Sequence, residues 1–148
     1  MKIRAIKENE IKTASKIVGL NHSGDHAGVY SDRSKNEMTG MFRNYGIRPR
    51  YLVAEDKGKL LGFAGYSQSW ISYHIYEIFW VNVLPRHQNK GIGTALINKI
   101  IRIIKKNVGI DSASMIILTT NSPRFYRRFG FKPVLKFRKE NYLMRLNI

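Results

Sequence analysis

The stretch Gln88-Asn-Lys-Gly91-Ile-Gly93-Thr-Ala95 has the residue types to hold an anion. It follows an apolar run that ends Val81-Asn-Val-Leu-Pro85, and it opens a segment with helical periodicity. The first turn of a helix carries backbone N–H groups with no partner inside the helix, and they point outward with the positive end of the helix dipole. Such a turn cradles an anion, and glycine lets a pyrophosphate approach the backbone with no side chain in the way. Gln88 and Lys90 can add donors from the loop. The spacing excludes two other phosphate loops. A dinucleotide fingerprint needs Gly-x-Gly-x-x-Gly, but positions 91, 93 and 96 are Gly, Gly and Leu, and Asp111 is the only nearby acid for a ribose. The Gly-x-x-x-x-Gly-Lys-Ser/Thr loop of nucleotide hydrolases is absent.

A second cluster, His22, Asp25 and His26, has metal-ligand residue types. It lacks a further ligand and a defined helix or strand spacing, so no metal is expected. The chain has no cysteine, which removes disulfides, thiolate metal sites and cysteine nucleophiles.

These residues need elements to position them. Residues 2–6 alternate as a strand, and 8–19 read as a helix with Ile11, Ala14, Ile17 and Val18 on one face. A polar stretch follows, from Asn21 to Gly28. Residues 32–44 read as a second helix, with Asp32 as N-cap and Gly46 beyond its end. Residues 50–56 and 60–69 form a hairpin about Lys57-Gly58-Lys59. A longer apolar strand runs from about Tyr73 to Val83 and stops at Pro85. The helix Ala95–Lys106 is preceded by the glycine loop, and Ile92, Leu96, Ile100, Ile103 and Ile104 share its apolar face. Residues 111–120 are a strand. Residues 122–129 are a short helix, with Ser122 as N-cap and Pro123 at its first position, ended by Gly130. Residues 131–139 and 142–147 are the last two strands. A strand–helix–strand crossover inside a mostly antiparallel set implies a mixed α/β sheet with helices on its faces.

Length and composition set the frame. The 148 residues, 43% hydrophobic and 24% charged, suit a single domain over 1–148 with one buried core. No stretch approaches the roughly 20 apolar residues of a membrane span, and the first residues do not read as a signal peptide. A cytoplasmic location is expected. The net charge of +16 is uneven: residues 1–84 carry 12 basic and 8 acidic side chains, and 85–148 carry 14 and 2. A field of that sign attracts polyanions, among them a phosphorylated cofactor. Lys- and Ile-rich codon usage alone could account for much of the excess.

Two motifs together resemble the GNAT N-acetyltransferase superfamily. The first is Val83-Leu-Pro85 followed by Gln88-Asn-Lys-Gly91-Ile-Gly93, similar to the family's Gln/Arg-x-x-Gly-x-Gly/Ala after a strand ending Val-x-Pro. The second, Phe125-Tyr126-Arg-Arg-Phe-Gly130-Phe131, is similar to the family's Phe-Tyr-x-x-x-Gly-Phe. The element order agrees along nearly the whole chain. The resemblance implies a splayed central sheet of about seven strands with about four helices, and acetyl-CoA as co-substrate. Val81, Asn82 and Val83 would lie along the pantetheine arm, with Val81 and Val83 pairing to it by backbone. Gln88, Asn89, Lys90, Gly91, Ile92, Gly93 and Thr94 would hold the pyrophosphate. Asn121 and Tyr126 would contact the arm from the other side. In one departure from the family pattern, Asn121 stands only five positions before Tyr126.

Acetyl transfer from a thioester to an amine needs a base for the amine, donors for the oxyanion and an acid for the leaving thiolate. With no cysteine for an acyl-enzyme, direct attack in a ternary complex is the simplest route. Tyr126 is the expected acid, and the Val83 N–H is a candidate oxyanion donor, both by resemblance. Glu77 is the expected base. It is the only acid between Asp56 and Asp111, it sits in the apolar run Tyr76-Glu-Ile-Phe-Trp-Val, and its separation from Val83 matches that of a family base. The acceptor pocket is expected among His22, Asp25, Ser67, Gln68 and Trp70. Acids are scarce, which favours a protein N-terminus or lysine, an amino acid or an amine with an anionic group over a polycation. Two other readings stay open: an acyl-CoA-binding module without catalysis, and a basic protein on nucleic acid or ribosomes, for which no recognised motif exists. Monomer and homodimer are both compatible.

Overall fold

The computed structural model describes residues 1–43 and 46–148. Its elements are β1 (Lys2–Ala5), α1 (Ile11–Asn21), α2 (Ala27–Thr39), β2 (Arg50–Asp56), β3 (Lys59–Gln68), β4 (Ile75–Val83), α3 (Ile92–Lys105), β5 (Met115–Thr120), α4 (Pro123–Arg127), β6 (Lys132–Phe137) and β7 (Asn141–Asn147). This is the order read from the sequence. The strands form one sheet in the order β1-β2-β3-β4-β5-β7-β6. Every neighbouring pair is antiparallel except β4 and β5, which α3 joins by a crossover.

The central strands bury both faces of the sheet, while β6 at its edge is exposed, and period-2 alternation sorts the side chains between the faces. From β2, Tyr51 and Val53 pack with α1 and α2, and Leu52 and Ala54 pack in the core built on α3. The face of α1 is Ile11, Ala14, Ile17 and Val18, as its spacing predicts. On α3 the buried residues are Ile92, Leu96, Ile97, Ile100, Ile101 and Ile104, while Ile103 is only partly covered. Among the described residues no helix is long and apolar enough to cross a membrane.

Several boundaries differ from the sequence reading. Residues 8–10 form a 3-10 turn before α1. There the Glu10 carboxylate accepts the Lys7 N–H at 2.8 Å and Arg4 Nη2 at 2.6 Å. The second helix begins at Ala27, not Asp32, and it has no side-chain cap. Packing fixes its start instead: the Ser31 hydroxyl donates to the Ser15 carbonyl of α1 at 3.0 Å, and Ser34 and Met38 are buried. Asn44, the expected end of that helix, lies outside the described residues. The hairpin turn is Lys57-Gly58, both at positive φ (47° and 77°), and Lys59 already pairs in β3. Residues 109–111 form a 3-10 turn, so β5 begins at Met115 rather than residue 111.

Two irregularities shape the centre of the sheet. β4 pairs with β5 only through Ile75–Met115, Tyr76–Ile116 and Glu77–Ile117, and beyond them the strands part. Along the other edge of β4 the register with β3 shifts between Phe63–Asn82 and Gly65–Phe79. Trp80 sits in this bulge with φ at 51°, a region that a bulky residue enters only under constraint. Its indole N–H donates to Glu37 of α2.

Gly65 lets the rings beneath the bulge close up. A Cβ there would stand 2.5 Å from the Phe79 ring and 2.6 Å from the Tyr51 ring. Gly65→Ala is therefore expected to cost about 1–3 kcal/mol of stability, the usual range for overpacking. A lowered urea midpoint at unchanged m-value checks this; an unshifted midpoint contradicts it.

Candidate active site

The end of β4 and the loop after it form one wall of a cleft of about 580 Å³. The Leu84 N–H bonds the Leu61 carbonyl at 2.8 Å. By the alternation of an antiparallel ladder, Val83 turns its backbone groups away from β3, towards the gap where β5 has left. Val81 lies within the bulge, where that alternation is interrupted. Asn82 between them is buried.

A cluster of side-chain amides fixes this corner. Asn21, the last residue of α1, donates to Asn82 Oδ1 at 3.1 Å and to the Val83 carbonyl at 3.0 Å. Gln88 Nε2 donates to Asn21 Oδ1 at 2.9 Å and to the same Val83 carbonyl at 3.2 Å. Gln88 was expected to donate to a phosphate; here its amide N–H groups brace the loop. The Val83 carbonyl is engaged by these amides, which leaves its N–H for the gap.

The loop winds through two left-handed residues, Asn89 (φ 58°) and Gly91 (φ 81°). Alternation of hand turns successive N–H groups to one side, an anion nest. Gly91 is the N-cap of α3, and no side-chain cap satisfies the first turn. The amides of Ile92, Gly93 and Thr94 precede the first i to i−4 bond, from Ala95 N–H to the Gly91 carbonyl at 2.9 Å. The two glycines serve different ends. Gly91 supplies its positive φ into open space, whereas a Cβ at Gly93 would meet the Phe125 ring at 3.3 Å.

The opposite wall is Thr120, Asn121 and Ser122 at the end of β5, with Phe125, Tyr126 and Arg128. Ser122 occupies the N-cap position of α4, but its hydroxyl bonds Asn121 Oδ1 at 3.2 Å rather than capping the helix. Tyr126 is 8% exposed. Its ring packs edge-on to Phe125 at 4.9 Å and to Phe131 at 6.0 Å. Burial pushes its phenol up to about 12.

The cleft thus gathers the sequence candidates Val81, Asn82, Val83, Gln88, Asn89, Gly91, Ile92, Gly93, Thr94, Asn121 and Tyr126. Lys90 is exposed and lies outside its lining. Sequence reasoning missed Asn21, His87, Phe125 and Arg128. Arg128 belongs to a visible basic run and lies 5.1 Å over the Phe125 ring. Asn21 gave no signal, because its partners stand 61 and 62 residues away.

Glu77 lies further down β4, in a second cleft of about 580 Å³ beyond the bulge, with Ser67 and Trp70. Ser67 is its register partner on β3. The other three acceptor-side candidates lie elsewhere. His22 bonds the Val18 carbonyl through Nδ1 at 2.8 Å and stacks on Tyr30, and Asp25 is exposed in the turn after α1. Gln68 faces a third cleft, where its amide donates to Asp111 at 2.9 Å. Among the described residues no three His, Asp or Glu side chains stand close enough to hold a metal.

Comparison with known proteins agrees with this fold. The family model described as Acetyltransferase (GNAT) family matches residues 22–131. An uncharacterized N-acetyltransferase of Methanocaldococcus jannaschii is 35% identical over 94 aligned residues, a match that covers 55% of this chain and 38% of that protein. The matched stretch thus spans well under half the length of that curated relative. Among solved structures, the paia N-acetyltransferase of Thermoplasma acidophilum, in complex with coenzyme A, superposes with a TM-score of 0.79 at 17% identity over 99% of this chain and 98% of that one. The yncA protein of Salmonella typhimurium, with its cofactor acetyl-CoA, gives 0.71 at 20% identity over 99% and 93%.

Removing the central amide tests whether the corner is held as described. Asn21→Ala leaves Asn82 Oδ1, in a buried residue, without its donor and should cost about 1–3 kcal/mol. Urea unfolding measures this, and a loss below about 0.5 kcal/mol would show that the cluster contributes nothing.

Proposed function

Because the chain belongs to the acetyltransferase (GNAT) family, we propose that it transfers the acetyl group of acetyl-CoA to a primary amine by direct attack in a ternary complex. The single observation that carries this reading is the cleft between the parted strands. It runs from the unsatisfied amides at the start of α3 to the Tyr126 side chain. The ligands of the Thermoplasma and Salmonella proteins support the same choice of co-substrate.

The lining fits that molecule chemically. The amides of the Gln88–Thr94 turn face the diphosphate, with Arg128 as a cation in the same cleft. The backbone groups of Val81 and the Val83 N–H take the place of strand partners for the amide-bearing pantetheine arm. That arm brings the thioester towards Tyr126 on one side and the bulge on the other.

The acceptor enters from the Glu77 cleft as the neutral amine. Glu77 takes the proton that the amine nitrogen sheds on attack, directly or through one water. The neutral amine adds to the thioester carbonyl, and the Val83 N–H bonds the oxyanion. Collapse breaks the C–S bond. Tyr126 donates its proton to the departing sulfur, giving free coenzyme A and the N-acetyl product. Because burial raises the phenol to about 12, Tyr126 keeps its proton over the working range and re-protonates readily from solvent.

An amine panel read by free-thiol release tests the assignment. Tyr126→Phe and Glu77→Gln should each lower kcat by about 10²-fold or more, with acetyl-CoA affinity held within about threefold. A Glu77→Gln loss under threefold would assign the base to water. The sign of the Tyr126 shift adds a pH test. A raised phenol stays protonated well past the usual pKa near 10, so the wild-type rate should show no Tyr126-dependent fall between pH 9 and about 10.5. A fall there that Tyr126→Phe removes contradicts the raised phenol while keeping Tyr126 as the acid.

A further inference from the structure

The Glu77 cleft holds two polar groups that the proposed chemistry does not use. Tyr51 of β2 is fully buried, and its hydroxyl is the one buried side-chain polar atom without a hydrogen-bond partner among the described residues. It lines the cleft. Burial, and then the charge of Glu37, hold its phenol firmly neutral. Glu37 comes from α2 and lines the same cleft. One of its oxygens, Oε2, accepts the Trp80 indole N–H, and Oε1 remains. The aromatic walls are Phe79, packed edge-on against Tyr51 at 5.8 Å, and Trp70, which is 82% exposed. Arg43, exposed, is the only cation in the lining among the described residues.

We propose that this cleft selects an acceptor with two amino groups, one reacting at Glu77 and the other held by Glu37 and the Tyr51 hydroxyl. The inference rests on the transferase reading above and deepens it. An ammonium has three donors and no acceptor. The free Glu37 oxygen accepts only, and the neutral Tyr51 hydroxyl can accept a second N–H while its own proton is free to go to Glu37, so together they can hold a donor-only group. Aromatic faces add attraction for a cation. A carboxylate in the same place would face two carboxylates. The chain-wide scarcity of acids, 10 in all, argued against a polycation; the fold concentrates two of those 10 in one cleft.

The test compares straight-chain 1,3- to 1,6-diamines with monoamines of the same carbon count and with the matching ω-amino acids. Thiol release at saturating acetyl-CoA gives kcat/KM for each. The best diamine should exceed its monoamine by tenfold or more, well beyond the twofold of having two amines, and the amino acids should be poorest. Glu37→Gln keeps an oxygen for Trp80 but removes the charge, and should cut the diamine-to-monoamine ratio to threefold or less. Tyr51→Phe should lower the ratio too. That variant removes only an unpartnered oxygen, so its urea midpoint should equal or exceed the wild type. Equal or better use of monoamines or amino acids overturns the inference. So does a ratio unchanged in both variants, or a protein that binds acetyl-CoA yet turns over none of the panel. Failure to bind acetyl-CoA at all overturns the transferase reading with it.

Discussion

After Glu77 and Ile117 the hydrogen bonds between β4 and β5 stop, and the rest of the molecule is arranged around that interruption. Backbone groups inside a fold are almost always paired. A sheet that parts at its centre therefore leaves polar groups in want of a partner, and on β4 these include the Val83 N–H. The crossover helix α3 begins at the mouth of the gap with its own unpaired amides. Two sets of unsatisfied donors, one from a strand and one from a helix start, converge on one cleft. Backbone geometry, more than any side chain, supplies the donors that line this cleft.

Holding strands apart requires rigid margins. On one side α3 buries six large aliphatic residues against the sheet. At the top, the Asn21, Asn82 and Gln88 amides tie α1, β4 and the glycine loop together around the Val83 carbonyl. Below, the bulge at Trp80 changes the direction of β4 between the two clefts, and α2 grips the indole through Glu37. A bulky residue at positive φ persists only when its surroundings over-determine it. Here the surroundings are Gly65, which admits the Phe79 and Tyr51 rings, and the Glu37 carboxylate. The same carboxylate thus braces the strand and lines the cleft that holds Glu77.

What could be read from the sequence was what local chemistry dictates. The glycine loop, the apolar stripe of α3, the hairpin at Lys57-Gly58 and the order of all eleven elements follow from spacing and periodicity. The start of α2 at Ala27 could not be read, because no cap residue marks it and its contacts with α1 decide it. Residues 109–114, Gly-Ile-Asp-Ser-Ala-Ser, carry turn-forming types, and a strand reading that starts at 111 passes over them. In the cofactor cleft, the residues from one continuous loop were legible, whereas Asn21 was not. In the cleft beyond the bulge, Glu77 stands out in the sequence as an isolated acid, and Ser67 and Trp70 line the same cleft. Glu37 and Tyr51 come from distant elements, and only the folded sheet brings them to Glu77.

The account stands on the placement of coenzyme A between the parted strands, and a crystal structure of the complex measures this most directly. It should show diphosphate oxygens within hydrogen-bond distance of the amides in the Gln88–Thr94 turn, and the arm bonded to the backbone of Val81 and Val83. A cofactor bound elsewhere, or β4 and β5 zipped together to Val83 with no ligand between them, would contradict it.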